Sequence, residues 1–153
     1  MKRLLVSGAL LLAAACGGSG SLPAPVTDAG SPVSSPDAVV TEFMQSVADS
    51  NLTRMGQLWG TARGSAAVTG EPVRWREQVI VMQLWLQGGT SRITGNVPAM
   101  GAADRRDITL ELVRGGCVKQ IPFTVLRLAS GAWLVTNVDI SQAGNPARPC
   151  GVS

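Results

Sequence analysis

The stretch of sequence that decides the fold is DITLELVRGGCVKQIPFTVLRLASGAWLVTNVDI, residues 107–140. Apolar and polar residues alternate along it, which is the pattern of half-buried β-strands. Two short turns, Gly115-Gly116 and Ser130-Gly131, interrupt the alternation. Because a two-residue hairpin loop fixes how its flanking strands pair, the stretch predicts an antiparallel meander of three strands with a defined register.

The predicted register sorts the meander's side chains onto two faces. Its cross-strand pairs are Arg114 with Cys117, Leu110 with Ile121, Phe123 with Val138 and Val125 with Thr136. One face then collects the apolar residues that should pack against the rest of the domain: Ile108, Leu110, Leu112, Ile121, Phe123, Val125, Leu134, Val138 and Ile140.

The opposite face of the meander divides into a polar end and an apolar end. The polar end holds Thr109, Glu111, Gln120, Thr124, Asn137 and Asp139. The apolar end holds Leu126, Leu128, Trp133 and Val135. An apolar patch on an outer sheet face usually marks a contact surface, so we expect these four residues to form a dimer or partner face.

Three helices are predicted upstream of the meander. The first begins after Ser35, a capping residue followed by Pro36 and Asp37, and carries apolar residues at helical spacing. A shorter helix lies within residues 51–60, and a third lies within EPVRWREQVIVMQLWLQGG, residues 71–89. The third helix is apolar nearly all round, so we expect it to be deeply buried.

This order of elements, with the G-x-W-x-V pattern of Gly131–Val135 in the closing strand, resembles the nuclear transport factor 2-like superfamily, which includes ketosteroid isomerase-like enzymes. The resemblance spans residues 36–141. It implies an α+β fold in which N-terminal helices pack on a curved antiparallel sheet that ends in the three-strand meander. It also implies a cone-shaped domain with a pocket between helices and sheet, and dimerisation through the outer sheet face.

Four of the six large aromatic residues are the candidates for the wall of that pocket. They are Phe43, Trp59, Trp85 and Phe123. For the two tryptophans, which lie on apolar helices, packing in the core is the alternative interpretation. We expect a small apolar molecule to be the ligand.

The N-terminal residues 1–15 have the pattern of a secretory signal, with Lys2 and Arg3 before an apolar run. The run ends in LAAAC, which resembles the lipobox of bacterial lipoproteins. The resemblance implies cleavage before Cys16 and attachment of lipid chains to it; an ordinary secretory signal with a coincidental cysteine is the alternative. Gly17 after the cysteine implies the periplasmic side of the outer membrane as the location.

The residues after the lipobox set the domain organisation. Residues 16–35 begin with the lipidated Cys16 and continue as a tether rich in Gly, Ser and Pro, a composition that does not form a packed core. Residues 36–153 are long enough for one α+β domain. The expected partner of the anchor is therefore the membrane, with the domain held away from it.

Cys117 and Cys150 are the remaining cysteines. An even pair in an exported chain is typical of a disulfide. A metal site is the alternative, but the chain has no histidine and no CxxC pair, so we expect neither a metal nor another cofactor. Without Lys2 and Arg3, eleven of the thirteen basic residues remain against ten acidic ones, a balance that does not indicate nucleic acid as a partner.

The same composition argues against catalysis. The chain has no His and no Tyr, which removes the usual neutral-pH acid/base group and the phenolic donor of ketosteroid isomerase-like enzymes. We expect no catalytic residue and a lipid-anchored envelope domain that binds a small apolar ligand or a protein partner, either a second copy or an envelope protein. The alternatives are a structural subunit of an envelope assembly, and an isomerase- or dehydratase-like enzyme that uses a buried Glu42 or Asp49.

Overall fold

The computed structural model describes residues 31–150. The predicted signal, the lipidation site at Cys16 and most of the tether lie outside the described residues. The described elements are α1 (Pro36–Ala48), α2 (Leu52–Leu58), β1 (Gly60–Thr61), β2 (Gly64–Ser65), α3 (Ala66–Thr69), α4 (Trp75–Leu86), β3 (Thr90–Pro98), β4 (Arg105–Arg114), β5 (Cys117–Arg127) and β6 (Trp133–Val138), followed by a 3₁₀ turn, Ile140–Ala143. The predicted α+β class is confirmed.

Helix α1 begins where the capping signals predicted. The Ser35 Oγ accepts a hydrogen bond from the Ala38 N–H at 3.1 Å, and Pro36 occupies the first position. Pro36 suits this position because its missing N–H would have no partner inside the helix. The buried side of α1 consists of Val39, Val40, Phe43, Met44, Ser46 and Val47.

Strands β3 to β6 form an antiparallel sheet of four strands in sequence order. The sequence predicted the last three; β3 was missed because its TSRITGNVP sequence holds Gly95 and Pro98, residues that weaken strand patterns. Both are tolerated there because β3 is an edge strand, and the register shifts between Ile93 and Gly95 in a β-bulge.

The first predicted hairpin is confirmed, with Arg114 opposite Cys117 and Leu110 opposite Ile121. In the second hairpin, Phe123 pairs with Val138 as predicted. The next predicted pair is wrong: Val125 pairs with Val135 instead of Thr136. Thr136 is an extra residue in β6, and its Oγ1 donates to the Thr124 carbonyl at 3.1 Å.

The bulge at Thr136 reverses which side chains of β6 face the core, because strand side chains alternate with a period of two. Val135 and Trp133 therefore lie on the core side, and Val135 is fully buried there. Leu134 pairs with Leu126 on the other face, where both are buried outside the main core. The predicted placement of Leu134 inside and of Val135 and Trp133 outside is wrong for this reason.

The main core lies between the helices and the inner face of the sheet. At its centre Phe43 of α1 meets Phe123 of β5 edge to face, with ring centroids 6.1 Å apart and planes at 77°. This arrangement is the favourable one for two aromatic rings. The inner sheet face contributes the fully buried residues Ile108, Leu110, Leu112, Ile121, Phe123 and Val125.

The outer face of the sheet is polar at the end where the sequence predicted polarity. Arg92 Nε donates to Glu111 Oε1 at 2.6 Å, and Gln120 donates to the other carboxylate oxygen at 3.1 Å. The hydrogen bond from Arg92 lowers the pKa of Glu111. This face is therefore hydrogen-bonded laterally across strands β3, β4 and β5.

Helix α4 is not deeply buried, and that expectation is wrong. Its inward face buries Val79, Met82, Gln83 and Leu86. The opposite side exposes four apolar residues, Ile80, Val81, Leu84 and Trp85, which are between 37% and 50% exposed and are called the α4 stripe below. A helix that packs on a single layer can bury only one face, so its remaining apolar residues stay in contact with solvent.

Arg114, at the end of β4, is a buried cation at 6% exposure. Its Nη1 donates to the carbonyls of Trp85 and Gln87 at 3.1 and 3.3 Å, and its Nη2 donates to the carbonyl of Ala143. Burial lowers the pKa of Arg114. The guanidinium therefore joins the end of α4, the end of β4 and the 3₁₀ turn after β6.

The predicted disulfide forms between Cys117 and Cys150, with their Cα atoms 5.4 Å apart. Cys117 pairs directly with Arg114 across the β4–β5 turn. The covalent link and the buried cation therefore both fasten the C-terminal segment to the same end of the sheet.

We predict that Arg114→Met lowers the free energy of unfolding by about 3 kcal/mol, because three carbonyls lose a charged donor and the bond to the Ala143 carbonyl is buried. Urea unfolding followed by circular dichroism measures the loss. Arg127→Met is the matched control, because Arg127 lies on the next strand but is exposed. Equal stability of the two variants would contradict a structural role for Arg114.

Candidate functional site

A groove of about 450 Å³ lies between the N-terminal half of α4 and the end of β6, and is called the α4–β6 groove. It is lined by Trp59, Val73, Arg74, Glu77, Gln78, Val81, Met82, Thr136, Asn137, Val138 and Ile140. A groove of this size that is walled mainly by apolar side chains, with a few polar groups among them, is typical of a small-molecule site.

Trp59 lies between α2 and β1 in the chain, and its backbone contacts β6. It follows the last residue of α2 in an extended conformation, its N–H donates to the Met55 carbonyl at 2.9 Å, and its carbonyl accepts from the Ala66 N–H at 2.7 Å. Its backbone also forms a parallel β-bridge with Val135. The backbone of Trp59 is thus held on both sides, and 7% of the residue is exposed.

The indole Nε1–H of Trp59 is buried and has no hydrogen-bond acceptor among the described residues. Leaving a buried donor unpaired costs about 1–3 kcal/mol, and for that reason such donors are rare in folded proteins. Trp59 thus lines the groove as a residue, while its Nε1 atom is closed off from solvent.

The start of α4 forms another wall of the groove. Arg74, the residue before the helix, has a left-handed conformation (φ 66°) and its side chain makes no capping hydrogen bond. Such a conformation is uncommon for a non-glycine residue. Behind the helix the Trp75 ring packs directly on Gly56 of α2, where any Cβ atom would collide with it.

The charges at the groove offset one another. Arg74 Nε lies 3.6 Å from Glu77 Oε1, and both side chains are exposed. A ligand near the Arg74 guanidinium is therefore also near the Glu77 carboxylate. Gln78 and Asn137 add neutral polar groups to the lining.

The four predicted pocket residues do not share one pocket. Phe43 and Phe123 pack against each other in the closed core. Trp59 lines the α4–β6 groove, and Trp85 lies on the exposed α4 stripe. Of the four, Trp59 alone lines the groove.

The four residues of the predicted partner face are also separated. Val135 lies in the core and Trp133 packs against it, whereas Leu126 is buried on the opposite face of the sheet. Leu128 is half-buried at the end of β5. These side chains therefore do not form one exposed patch, whereas the four apolar residues of the α4 stripe are exposed on one helix.

The two carboxylates predicted as candidate bases, Glu42 and Asp49, do not line the groove. Glu42 accepts a hydrogen bond from Arg54 Nε at 2.8 Å, and the exposed Asp49 accepts from Gln45. Asp139 accepts from the Ser141 N–H and so caps the 3₁₀ turn. Neither Glu42 nor Asp49 is buried, and Glu77 is the carboxylate that lines the groove.

Sequence reasoning missed the groove residues on the first two turns of α4. It also assigned Val138 and Ile140 to the core side without recognising that they border an opening. One feature of the sequence could have indicated this site: α4 carries more apolar residues than a single buried face requires.

In comparisons with known proteins, no family model, curated protein or solved structure matches the chain. Between residues 31 and 150, no cluster of three or more metal-ligating side chains occurs. No helix in that part is both long and apolar enough to cross a bilayer.

Proposed function

We propose that this chain is a non-catalytic domain that binds a small apolar molecule in the α4–β6 groove. The observation that carries the proposal is the groove itself, whose apolar walls include Val81, Met82, Val138 and Ile140. Apolar side chains that surround about 450 Å³ of open space gain stability when an apolar molecule excludes water from them.

The cellular location of the domain is a separate part of the proposal. We propose that Cys16 carries lipid chains and that residues 16–35 tether the domain on the periplasmic side of a bacterial outer membrane. The lipobox-like LAAAC and the breaker-rich tether support it. Stable anchoring by lipid requires two or more chains, which is what modification of both the sulfur and the amine of Cys16 supplies.

Membership in the nuclear transport factor 2-like superfamily, with its cone-shaped fold, also remains a proposal. The order of elements supports it, since helices precede an antiparallel meander that ends in the Gly131–Val135 strand. In this chain the space between α1 and the inner sheet face is filled by side chains, so the proposed ligand site is the groove at the side of α4.

We predict that N-phenylnaphthylamine, a neutral apolar fluorophore, binds the full chain at one site and that Val81→Asp weakens its affinity at least tenfold. A charge placed in the groove must lose its water when the probe binds, which is unfavourable. A fluorescence titration gives the dissociation constant.

Ile80→Asp is the matched control for that titration. Ile80 neighbours Val81 on α4 and is equally exposed, but it does not line the groove. Equal weakening by the two substitutions, or no saturable binding to the unaltered chain, would contradict the groove as the binding site.

We predict that Cys16→Ser abolishes incorporation of a clickable palmitate analogue and moves the chain from the membrane fraction to the soluble fraction of the cell envelope. The hydroxyl cannot form the thioether that carries the lipid. Cys150→Ser is the control and should keep the label. Label that persists in Cys16→Ser, or that is missing from the unaltered chain, would refute lipidation at this residue.

A protein partner is the second candidate function, and the exposed α4 stripe is the observation that favours it. Four apolar side chains on one helix face form a surface that a second copy of the chain could cover in a two-fold contact. The alternative of a structural subunit in an envelope assembly would use the same surface.

We predict that Leu84→Glu weakens self-association of the chain at least tenfold without loss of stability, because Leu84 is half exposed in the isolated chain. Sedimentation equilibrium measures the association. Leu52→Glu is the control, since Leu52 is an exposed leucine at the start of α2, away from the stripe. An unaltered chain that is monomeric at all concentrations would exclude the dimer.

A further inference from the structure

We infer that the end of the sheet where the β3–β4 and β5–β6 loops lie docks on the lipid bilayer that carries the anchor. This end is called the loop end, and it comprises residues 97–103 and 128–132. The inference rests on the lipid anchor of the proposed function and adds the surface through which the domain itself meets the membrane. It does not depend on the α4–β6 groove.

The loop end is uncharged and exposes apolar side chains. Its two stretches read VPAMGAA and LASGA, and neither contains a charged residue. Met100 is 100% exposed, and Val97 is 57% exposed. An apolar side chain that is exposed to this degree becomes more stable when it leaves water for another apolar medium, and the interior of a bilayer is such a medium.

Backbone hydrogen bonds hold Met100 at the apex of a turn. The Ala102 N–H donates to the Ala99 carbonyl at 3.3 Å, and Met100 and Gly101 are the two residues between them. Gly101 has a positive φ of 74°, which a type II turn requires at its third position. The turn therefore places the methionine at the apex of the loop, where its side chain is fully exposed.

The two loops are joined to each other at this end of the sheet. The Arg127 N–H donates to the Asp104 carbonyl at 2.7 Å, which links the end of β5 to the β3–β4 loop. The β5–β6 loop is closed by a hydrogen bond from the Leu128 N–H to the Ala132 carbonyl at 2.8 Å. The uncharged stretches therefore lie side by side and can meet one surface together.

The chain enters the described part of the domain beside the loop end. The Val33 carbonyl accepts a hydrogen bond from the Trp133 N–H at 2.8 Å, and Trp133 directly follows the β5–β6 loop. Two residues earlier, the Ser31 carbonyl accepts from Arg54 Nη2 at 3.1 Å. The segment that leads back to Cys16 therefore begins within a few residues of this end of the sheet.

The length of that segment favours the loop end over the opposite end of the sheet. Ser31 is fifteen positions after Cys16, so even a fully extended chain spans at most about 50 Å between them. Strand β5 has 11 residues, which corresponds to about 36 Å. Turning the opposite end toward the membrane would use most of the available reach to run along the sheet, whereas the loop end needs none of it.

The first charged residues behind the two loops along the chain are Asp104, Arg105 and Arg127, and all three are exposed. An arginine can lay its apolar stem along an apolar surface and keep its guanidinium among the lipid headgroups. Two guanidinium groups against one carboxylate favour a surface of lipid phosphates. A few apolar side chains hold a free protein only weakly, but the anchor keeps this end at a high local concentration of lipid.

The test places a nitrobenzoxadiazole fluorophore at one exposed position on each end of the sheet. Ser130→Cys reports on the loop end, and Thr90→Cys, at the start of β3, reports on the opposite end. In the lipidated full chain the introduced cysteine carries the free thiol, because lipid occupies Cys16 and the disulfide occupies Cys117 and Cys150. Met100 is retained in both labelled proteins.

The expected result is a difference between the two ends in contact with lipid. The labelled proteins are incorporated into vesicles of phosphatidylethanolamine and phosphatidylglycerol that contain a spin-labelled phospholipid, which quenches nearby fluorophores. The fluorophore at Ser130 should be quenched at least fivefold more strongly than the one at Thr90.

A charge at the apex of the loop tests which side chain makes the contact. Met100→Glu should reduce the quenching at Ser130 at least threefold, because a carboxylate must lose its water to enter the bilayer. Val68→Glu is the matched control, since Val68 is 62% exposed on α3 and lies outside the loop end, and it should leave the quenching unchanged.

Flotation of the vesicles separates this inference from the proposed function. If the protein floats with the vesicles, the inference is overturned when neither fluorophore is quenched, when Thr90 is quenched as strongly as Ser130, or when Met100→Glu has no more effect than Val68→Glu. A Ser130 fluorophore that responds to protein concentration and not to lipid would indicate a protein contact and would also overturn it. If the protein does not float, the anchor itself fails and the inference fails with it.

Discussion

The buried guanidinium of Arg114 is the interaction on which the arrangement of this domain depends. It donates to backbone carbonyls at the end of α4 and after β6, two segments that share no backbone ladder. The last carbonyls of a helix have no partners inside it, and a cation at that end also complements the helix dipole. One side chain thus supplies donors to carbonyls of two separate segments, one of them in a buried bond, and it links α4 to the sheet.

Much of the fold could be predicted because short-range rules determine it. The Gly115-Gly116 turn fixed the β4–β5 register, and the capping residue Ser35 fixed the start of α1. Thr136 shows the limit of such rules. Nothing in the alternating sequence around Thr136 marks it as an extra residue. Its insertion nevertheless turns the side chains in the first half of β6 to the opposite faces of the sheet.

The candidate site was harder to predict because it arises between elements that are distant in sequence. Trp59 was predicted as a pocket residue together with Phe43 and Phe123. Residue type alone could not show that Trp59 lines a groove while the two phenylalanines pack in the core. The sequence pattern showed that α4 is apolar, but it did not show how many faces of the helix would be buried by other elements. The disulfide was predictable, since Cys117 and Cys150 are the two cysteines that remain once Cys16 is set aside, and the sequence predicts an exported chain.

Two local features lie beside the groove. At the start of α4 the Trp75 ring lies against Gly56 of α2, where any Cβ atom would collide with it. On the other side the bulge at Thr136 bends the end of β6, because an extra residue increases local twist. Several residues that line the opening, among them Val73, Arg74, Glu77 and Val81, are exposed and do not belong to the core. A single substitution of a lining residue should therefore alter what the groove accepts more readily than it alters the fold.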